Sequence, residues 1–323
     1  MRYLDLHVSA MTYPGVDGAH LFPRLVDIAA TAERSGFTAL SLMDHFHQIP
    51  PHGQPDEPLL ESYTTLGALA ARTERLELLT LVTGVIYHNP AHLAKKVTTL
   101  DVISQGRAIL GIGAAWNDEE SRAYGFDFPP IGERMDRLEE ALIICRAMLD
   151  QGTASFEGRH YRIEGAHNMP RPVRRRVPIL VGGGGERRTL RLVARHADMC
   201  NVIGDAPTIR HKLEVLREHC DAEGRDYDSI VKTAAVGAVV IDETEAGVRR
   251  RLERIAASPP PMLRGLDVDE LSRRLVAGTP DQVTERLRAC LDAGAEGLTM
   301  VIRGVEDLEP IELAGAAARA AAS

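Results

Sequence analysis

Asp44 and His45 place a carboxylate beside an imidazole in the stretch Met43-Asp-His-Phe-His-Gln48. They form the residue pair best suited to proton handling near neutral pH. The competing reading is a turn capped by Asp44 next to an incidental His45. His45 and His47 make an HxH pair, but no third histidine or carboxylate follows at ligand spacing, so no metal is expected. His47, His52 and His88 carry little weight singly. The second chemical feature is Pro178-Ile-Leu-Val-Gly-Gly-Gly-Gly-Glu-Arg-Arg-Thr189. Four glycines without a Cβ let backbone N–H groups approach a ligand closely. A helix starting near Glu186 would aim its free N–H groups at the same spot. Arg187, Arg188 and the Thr189 hydroxyl would add charge and hydrogen bonds. The stretch therefore reads as a phosphate cradle; a flexible strand-to-helix turn is the alternative. Its spacing matches neither GxxxxGK[ST] nor GxGxxG with a downstream acid. No GxSxG elbow occurs, and no cysteine is placed for nucleophilic work.

Eight strand–helix units are needed to hold these residues. The apolar patterning predicts strands over 3–9, 39–43, 76–83, 108–112, 179–181, 198–202, 231–241 and 297–302. Helices are predicted over 21–34, 63–73, 91–103, 133–149, 186–195, 207–223, 245–256 and 280–293. A helix between successive strands makes a parallel sheet possible. Eight such units in one chain fit a closed (β/α)8 TIM barrel better than an open doubly wound sheet. No linker composition divides residues 1–323, so a single barrel domain is expected. Three interruptions stand out. Residues 49–58 and 258–278 are rich in Pro and Gly and read as loops at one rim; 152–177 contains FEGRHYRI, which suits a small strand pair outside the barrel.

In a barrel of this kind the site lies at the C-terminal strand ends. Those ends carry His7 and Ser9, Asp44 to Gln48, Thr83 to Pro90, Gly111 to Asp118, and the glycine stretch. Trp116, the sole tryptophan, suits a planar wall or core packing. Gly111, Gly113, Ala114 and Ala115 leave room for something flat.

Formal net charge is −8, from 38 basic and 46 acidic residues. Binding to nucleic acid or anionic membranes is therefore disfavoured. The first ten residues lack the apolar core of a signal peptide, and no run of apolar residues is long enough to span a bilayer. The four cysteines are far apart with no CxxC, as expected of reduced residues in a cytoplasmic protein.

Taken in order, LMDHFHQIP, TLVTGVIYHNPAHLAKKVTTLDVISQGRAILGIGAAWNDEE, YGFDFPPIGERMDRLEEAL, PILVGGGGERRTLRLVARHADMCN and GTPDQV resemble the luciferase-like monooxygenase superfamily, and within it the F420-dependent oxidoreductases. The resemblance spans nearly the whole chain. It implies a deazaflavin, coenzyme F420, over the barrel mouth, with FMN as the alternative. It also implies a non-prolyl cis peptide beneath the ring at Gly84–Val85, with Thr83 alongside. Asp44 and His45 match the pair at the ring edge, and Ala114, Ala115 and Asn117 match positions lining the ring. Gly183, Gly184, Gly185, Glu186, Arg187 and Thr189 match the phosphate site. His7, His47, Tyr87 and Trp116 fall where a small organic substrate would lie.

Sugar-phosphate dehydrogenases of this group carry a glutamate after the fourth strand, where this chain places Trp116. A flat or apolar substrate is therefore expected. Flavin relatives hold the FMN phosphate with an arginine near Ala114, and the sequence offers none there, which favours F420. The implied protein is an F420-dependent oxidoreductase and, as relatives commonly are, a homodimer. An FMN monooxygenase fed by a partner reductase, a non-catalytic flavin- or deazaflavin-binding barrel, and a phosphate-binding isomerase are the alternatives.

Overall fold

Strands buried on both faces, each followed by an amphipathic helix, can only bury their apolar surface by closing a sheet inside a ring of helices. The computed structural model describes residues 1–323 and has that form. Strand β1 (Tyr3–Val8) leads to α1 (Gly18–Arg34), β2 (Ala39–Leu42) to α2 (Ser62–Ala70), and β3 (Glu77–Thr80) with β4 (Thr83–Gly84) to α3 (Pro90–Ile103). Next come β5 (Leu110–Gly113), α4 (Asp118–Ala123), α5 (Ile131–Gln151), and the strands β6 (Thr153–Glu157) and β7 (Arg162–His167). They are followed by β8 (Ile179–Gly182), α6 (Thr189–His196), β9 (Met199–Ile203) and α7 (Ala206–Glu223). The chain ends with β10 (Val231–Ile241), α8 (Glu245–Ala257), α9 (Val268–Arg274), β11 (Val276–Gly278), α10 (Pro280–Asp292), β12 (Gly297–Ile302) and α11 (Glu309–Ala321).

The sheet runs β3-β2-β1-β12-β10-β9-β8-β5-β4, with every pair parallel. β3 and β4 are two pieces of one passage broken at Leu81–Val82, whose peptide is cis. Counting them together leaves eight barrel positions. A parallel bridge from Leu78 to Ala108 closes the ring. The predicted (β/α)8 barrel is therefore present, and β6 and β7 pair antiparallel as the expected strand pair, in a separate two-stranded sheet.

The barrel interior is graded. At its base Tyr3, Ala39, Leu79, Ile109, Leu180 and Met199, all from strands or their immediate approaches, pack as one apolar layer. Two residues further along, the inward positions turn polar: Asp5, Ser41, Asn201, Thr233 and Thr299. Asn201 donates to Thr233 and Thr299, and the Ser41 hydroxyl donates to Asp5. The large core lies outside this, between strands and helices.

Two expectations need correction. The 258–278 stretch is not loop throughout, because α9 and β11 lie within it and β11 adds to β10 through Val239–Ile241. A capping box, Asp267 with Glu270, starts α9. Helix α6 begins at Thr189 rather than Glu186, since residues 186–188 form turns.

Candidate active site

A cavity of about 490 Å³ opens at the C-terminal end of the barrel, where the predicted chemistry collects. His7, Asp44, His45, Gly84, Tyr87, Ala114, Ala115, Trp116, Gly183, Gly184, Gly185 and Thr189 all line it. Its floor is made by the broken third strand. Val82 projects between β5 and β8, and a Cβ added to Gly113 or Gly182 would lie only 2.7 Å from its methyls. Glycine at those two points lets Val82 form the hump on which a flat ligand would rest. The cis peptide expected at Gly84–Val85 lies instead at Leu81–Val82, and both of those side chains line the cavity. Thr83 and Val85 do not reach it. Thr83 is fully buried and bonds Tyr63 and Thr80, while Val85 sits in the apolar core.

Asp44 and His45 share the wall but are not hydrogen-bonded partners. Asp44 accepts from Ser62 Oγ at 3.0 Å, from the Gly84 N–H at 3.1 Å and from His88 Nε2 at 3.0 Å. Burial alone would raise its pKa; the His88, Gly84 and Ser62 contacts outweigh that and hold the carboxyl below its ordinary range. The partner of His45 is Glu120, whose Oε2 lies 2.6 Å from Nδ1. Glu120 also accepts from the backbone N–H of Phe46 at 2.5 Å and from the Tyr87 hydroxyl at 3.1 Å. Burial opposes its ionisation, yet His45, Phe46 and Tyr87 together keep its pKa low. A fully buried carboxylate accepting at Nδ1 fixes that nitrogen as the N–H and leaves Nε2 free for proton exchange at the cavity. The expected Asp44–His45 pair is thus replaced by Glu120–His45. Glu120 went unnoticed because it ends the run Asp118-Glu-Glu, which looks like a solvated helix start.

The glycine stretch does reach the cavity, through Gly183, Gly184, Gly185 and Thr189. Gly183 has φ +118°, a conformation that glycine adopts without strain, and its N–H is used by Asn201 O at 3.0 Å. The N–H groups of Gly184 and Gly185 make no hydrogen bond. Lys212 of α7 packs against Gly184, where a Cβ would lie 3.5 Å from its Cε. Its ammonium is paired with Glu186, and the lysine does not line the cavity. Glu186 is exposed and pairs with Lys212 and His211 outside the cavity, and Arg187 is exposed without lining it. Arg188 is drawn to Asp136 of α5.

The remaining positions divide similarly. Asn117 is the N-cap of α4, its Oδ1 accepting from the Glu120 N–H, and it does not line the cavity. His47 hydrogen-bonds the Gln48 carbonyl and also stays outside. Trp116 is 57% exposed at the rim, edge-on to His45 with centroids 5.6 Å apart, so it is wall rather than core. Ala115 holds φ +60°, and the carbonyls of Ala114 and Ala115 are both gripped by Arg134 of α5. An arginine therefore does stand beside Ala114, brought from a distant helix. No group of histidine, cysteine or acidic side chains is arranged to hold a metal.

A parallel barrel whose C-terminal mouth gathers a glycine-lined wall and a carboxylate-fixed histidine has the form of a barrel enzyme. The sequence model for luciferase-like monooxygenases matches residues 5–297, and the chain belongs to that family. An F420-dependent glucose-6-phosphate dehydrogenase of Kineococcus radiotolerans is 30% identical over 291 residues, covering 84% of each chain. Among solved structures, an F420-dependent secondary alcohol dehydrogenase bound to an F420-acetone adduct superposes with a TM-score of 0.81 over 99% of both chains, at 18% identity. The EDTA monooxygenase from Chelativorans sp. BNC1 gives 0.82 over 99% of this chain and 93% of its own, at 20% identity. At those identities the two structures establish the fold alone.

Proposed function

We propose that the protein is an F420-dependent oxidoreductase that transfers a hydride between the deazaflavin and a small organic substrate. The observation that carries this reading is the Glu120–His45 pair, set in the wall of a cavity floored by Val82 between Gly113 and Gly182. The residues fit a flat cofactor with a phosphate. A side chain at Gly113 or Gly182 would collide with the floor, and Gly184 and Gly185 line the cavity with N–H groups that have no partner. Gly184, Gly185 and Thr189 would hold the phosphate; Val82, Gly84, Ala114 and Ala115 would lie against the ring.

A bound deazaflavin supplies the hydride chemistry, and the protein supplies orientation and a proton. His45 Nε2 gives or takes that proton, and Glu120 keeps Nδ1 protonated throughout. Asp44 anchors the loop after β4 through Gly84 and His88. Trp116, Ile203 and Val301 give the mouth an apolar lining.

The choice of F420 is supported by relatives named for that cofactor, four of which match 84–90% of this chain at 26–30% identity. Arg134 is the observation favouring the second reading, an FMN monooxygenase supplied by a reductase. Its Nε and Nη1, however, are held by the carbonyls of Pro129, Ala114 and Ala115, the group stacks on Phe128, and it does not line the cavity. A sugar phosphate is disfavoured as substrate, because Trp116 narrows the mouth and the acceptor atoms of Glu120 already serve His45, Phe46 and Tyr87.

The test is a titration of the cofactor-free protein with F420 and, separately, FMN, read by quenching of Trp116. Micromolar F420 binding with weak FMN binding is expected. The reverse result, with oxygen consumed in turnover, would establish the monooxygenase reading. Binding of neither would leave only the fold.

A further inference from the structure

Next to the ring cavity lies a second hollow of about 850 Å³, walled by the loop after β1, residues 52–57, residues 257–264 and the segment after β12. His7, His52 and Val301 line both hollows, so the two adjoin at the histidines. Arg303, directly after β12, faces this second space. Its Nη2 donates to the Pro51 carbonyl at 2.7 Å. Its Nε is sealed from solvent without an acceptor, and the guanidinium forms no ion pair. The other cations of that wall are differently placed. Arg251 is matched by Asp242 and Glu309, Arg254 faces Asp307, and Arg264 sits on the exposed rim. Arg303 is half-buried, and beyond the sealed Nε its Nη1 and the second Nη2 hydrogen are left without a protein acceptor, donors suited to a carboxylate.

We propose that Arg303 anchors a carboxylate on the substrate, held in this second hollow while the reacting carbon reaches past His7 and His52 to the ring cavity. His52 forms part of the anchor. Its Nδ1 is 3.1 Å from Ser9 Oγ, and Nε2 has no protein partner. Burial, together with nearby Arg303, pushes its pKa down to about 2 in the unliganded hollow. Charge selects the class of anion. Glu57 and Glu306 share the wall with Arg303, and Arg251 and Arg254 are already compensated. The space therefore suits a single negative charge rather than a phosphate dianion.

Calling the ligand a substrate rests on the function proposed above; the anion pocket itself is tested apart from it. Cofactor-free protein is titrated calorimetrically with phenylacetate and, separately, with the neutral phenylacetamide. The wild type is expected to prefer the acid at least about tenfold, near 1.4 kcal/mol. Arg303→Gln should abolish that preference, and Arg303→Lys should weaken acid binding severalfold while keeping its sign. Arg162 is exposed on β7 and lines neither hollow, so Arg162→Gln should change nothing. Equal affinity for acid and amide, binding of neither, or a preference that survives Arg303→Gln overturns the proposal. Because Arg303 also ties down Pro51, circular dichroism checks each fold. If the Gln variant does not fold, the wild-type preference and the Lys variant decide. Acid preference without F420 or FMN binding leaves the pocket standing and removes the redox reading; cofactor binding without acid preference does the opposite.

Discussion

Replacing Glu120 with Gln tests the proton machinery with almost no change in shape. The Phe46 N–H lies 2.5 Å from Oε1, so that site must remain an acceptor and will take the amide oxygen. The NH2 group then falls at the Oε2 site, against His45 Nδ1 at 2.6 Å and the Tyr87 hydroxyl at 3.1 Å. Two donors cannot face each other, so His45 must move its proton to Nε2 and present Nδ1 as the acceptor. The cavity-facing nitrogen thereby changes from acceptor to donor. A hydrogen bond to a charged group is worth roughly 1.5–3 kcal/mol, which converts to a loss of about ten- to a hundredfold in the chemical step. Cofactor affinity should stay within about twofold of wild type, since Glu120 does not line the cavity. Two assays read this out. Stopped-flow oxidation of reduced F420 by an acceptor gives the rate. Imidazole nitrogen NMR shifts at about pH 8, above the ordinary histidine range, give the His45 tautomer without any substrate. The reasoning fails if wild type and variant show the same tautomer, or if the tautomer switches and the rate does not.

Three further outcomes are expected. Gly184→Leu should abolish cofactor binding in a fluorescence titration while leaving the melting temperature nearly intact, because a Cβ there meets only Lys212 at an ordinary 3.5 Å; retained affinity would remove the cradle. Trp116→Ala should raise KM severalfold yet shift unfolding by no more than about 0.5 kcal/mol, as expected of a largely exposed side chain; an unchanged KM would take the ring out of the substrate wall. The last concerns pH. Burial lowers His7 to about 4 and His52 to about 2, whereas burial raises Asp5 to about 7. Between about pH 5 and 6.5 the unfolded chain therefore gains protons at both histidines, and the native state retains one at Asp5. The balance is one extra proton on the unfolded state, so stability should fall on acidification by up to ~1.36 kcal/mol per pH unit. His7→Asn should flatten that slope in urea titrations across the window; an undiminished slope would contradict the linkage.

Much of the barrel was legible because strand–helix alternation is a long-range pattern that local irregularity does not erase. Each of the eight predicted strand passages is found, with only their ends moved. What was lost is short. α9 has seven residues, too few for a 3.6-residue period to show, and three prolines just before it suggested a loop. Its signal was the Asp267-x-x-Glu270 capping box followed by Leu271 and Leu275. The break at Leu81–Val82 left no mark in composition, since Leu and Val suit a continuous strand equally well. The glycines at 113 and 182 did mark it from the opposite side, as the residues that make room for Val82.

The site was harder because its working groups arrive from elements far apart in sequence, and each looks ordinary at home. Glu120 comes 75 residues after the histidine it serves. Within Asp118-Glu-Glu only the third acid is buried, which follows from the α4 face turned inward rather than from residue type. Arg134 lies on a helix rich in other charged residues, and nothing in its type sets it apart from them. Arg303 is the instructive case, because the period of two along β12 carries inward positions from Thr299 to Val301 and then to 303. The same period on β1 runs Asp5, His7, Ser9. Extending both strands by one inward step beyond their last hydrogen-bonded residues leads out of the ring cavity and into the hollow beside it. A substrate long enough to occupy both would be held at one end by the guanidinium and presented at the other to His45. Its length and its charge would then be selected by residues that take no part in the transfer.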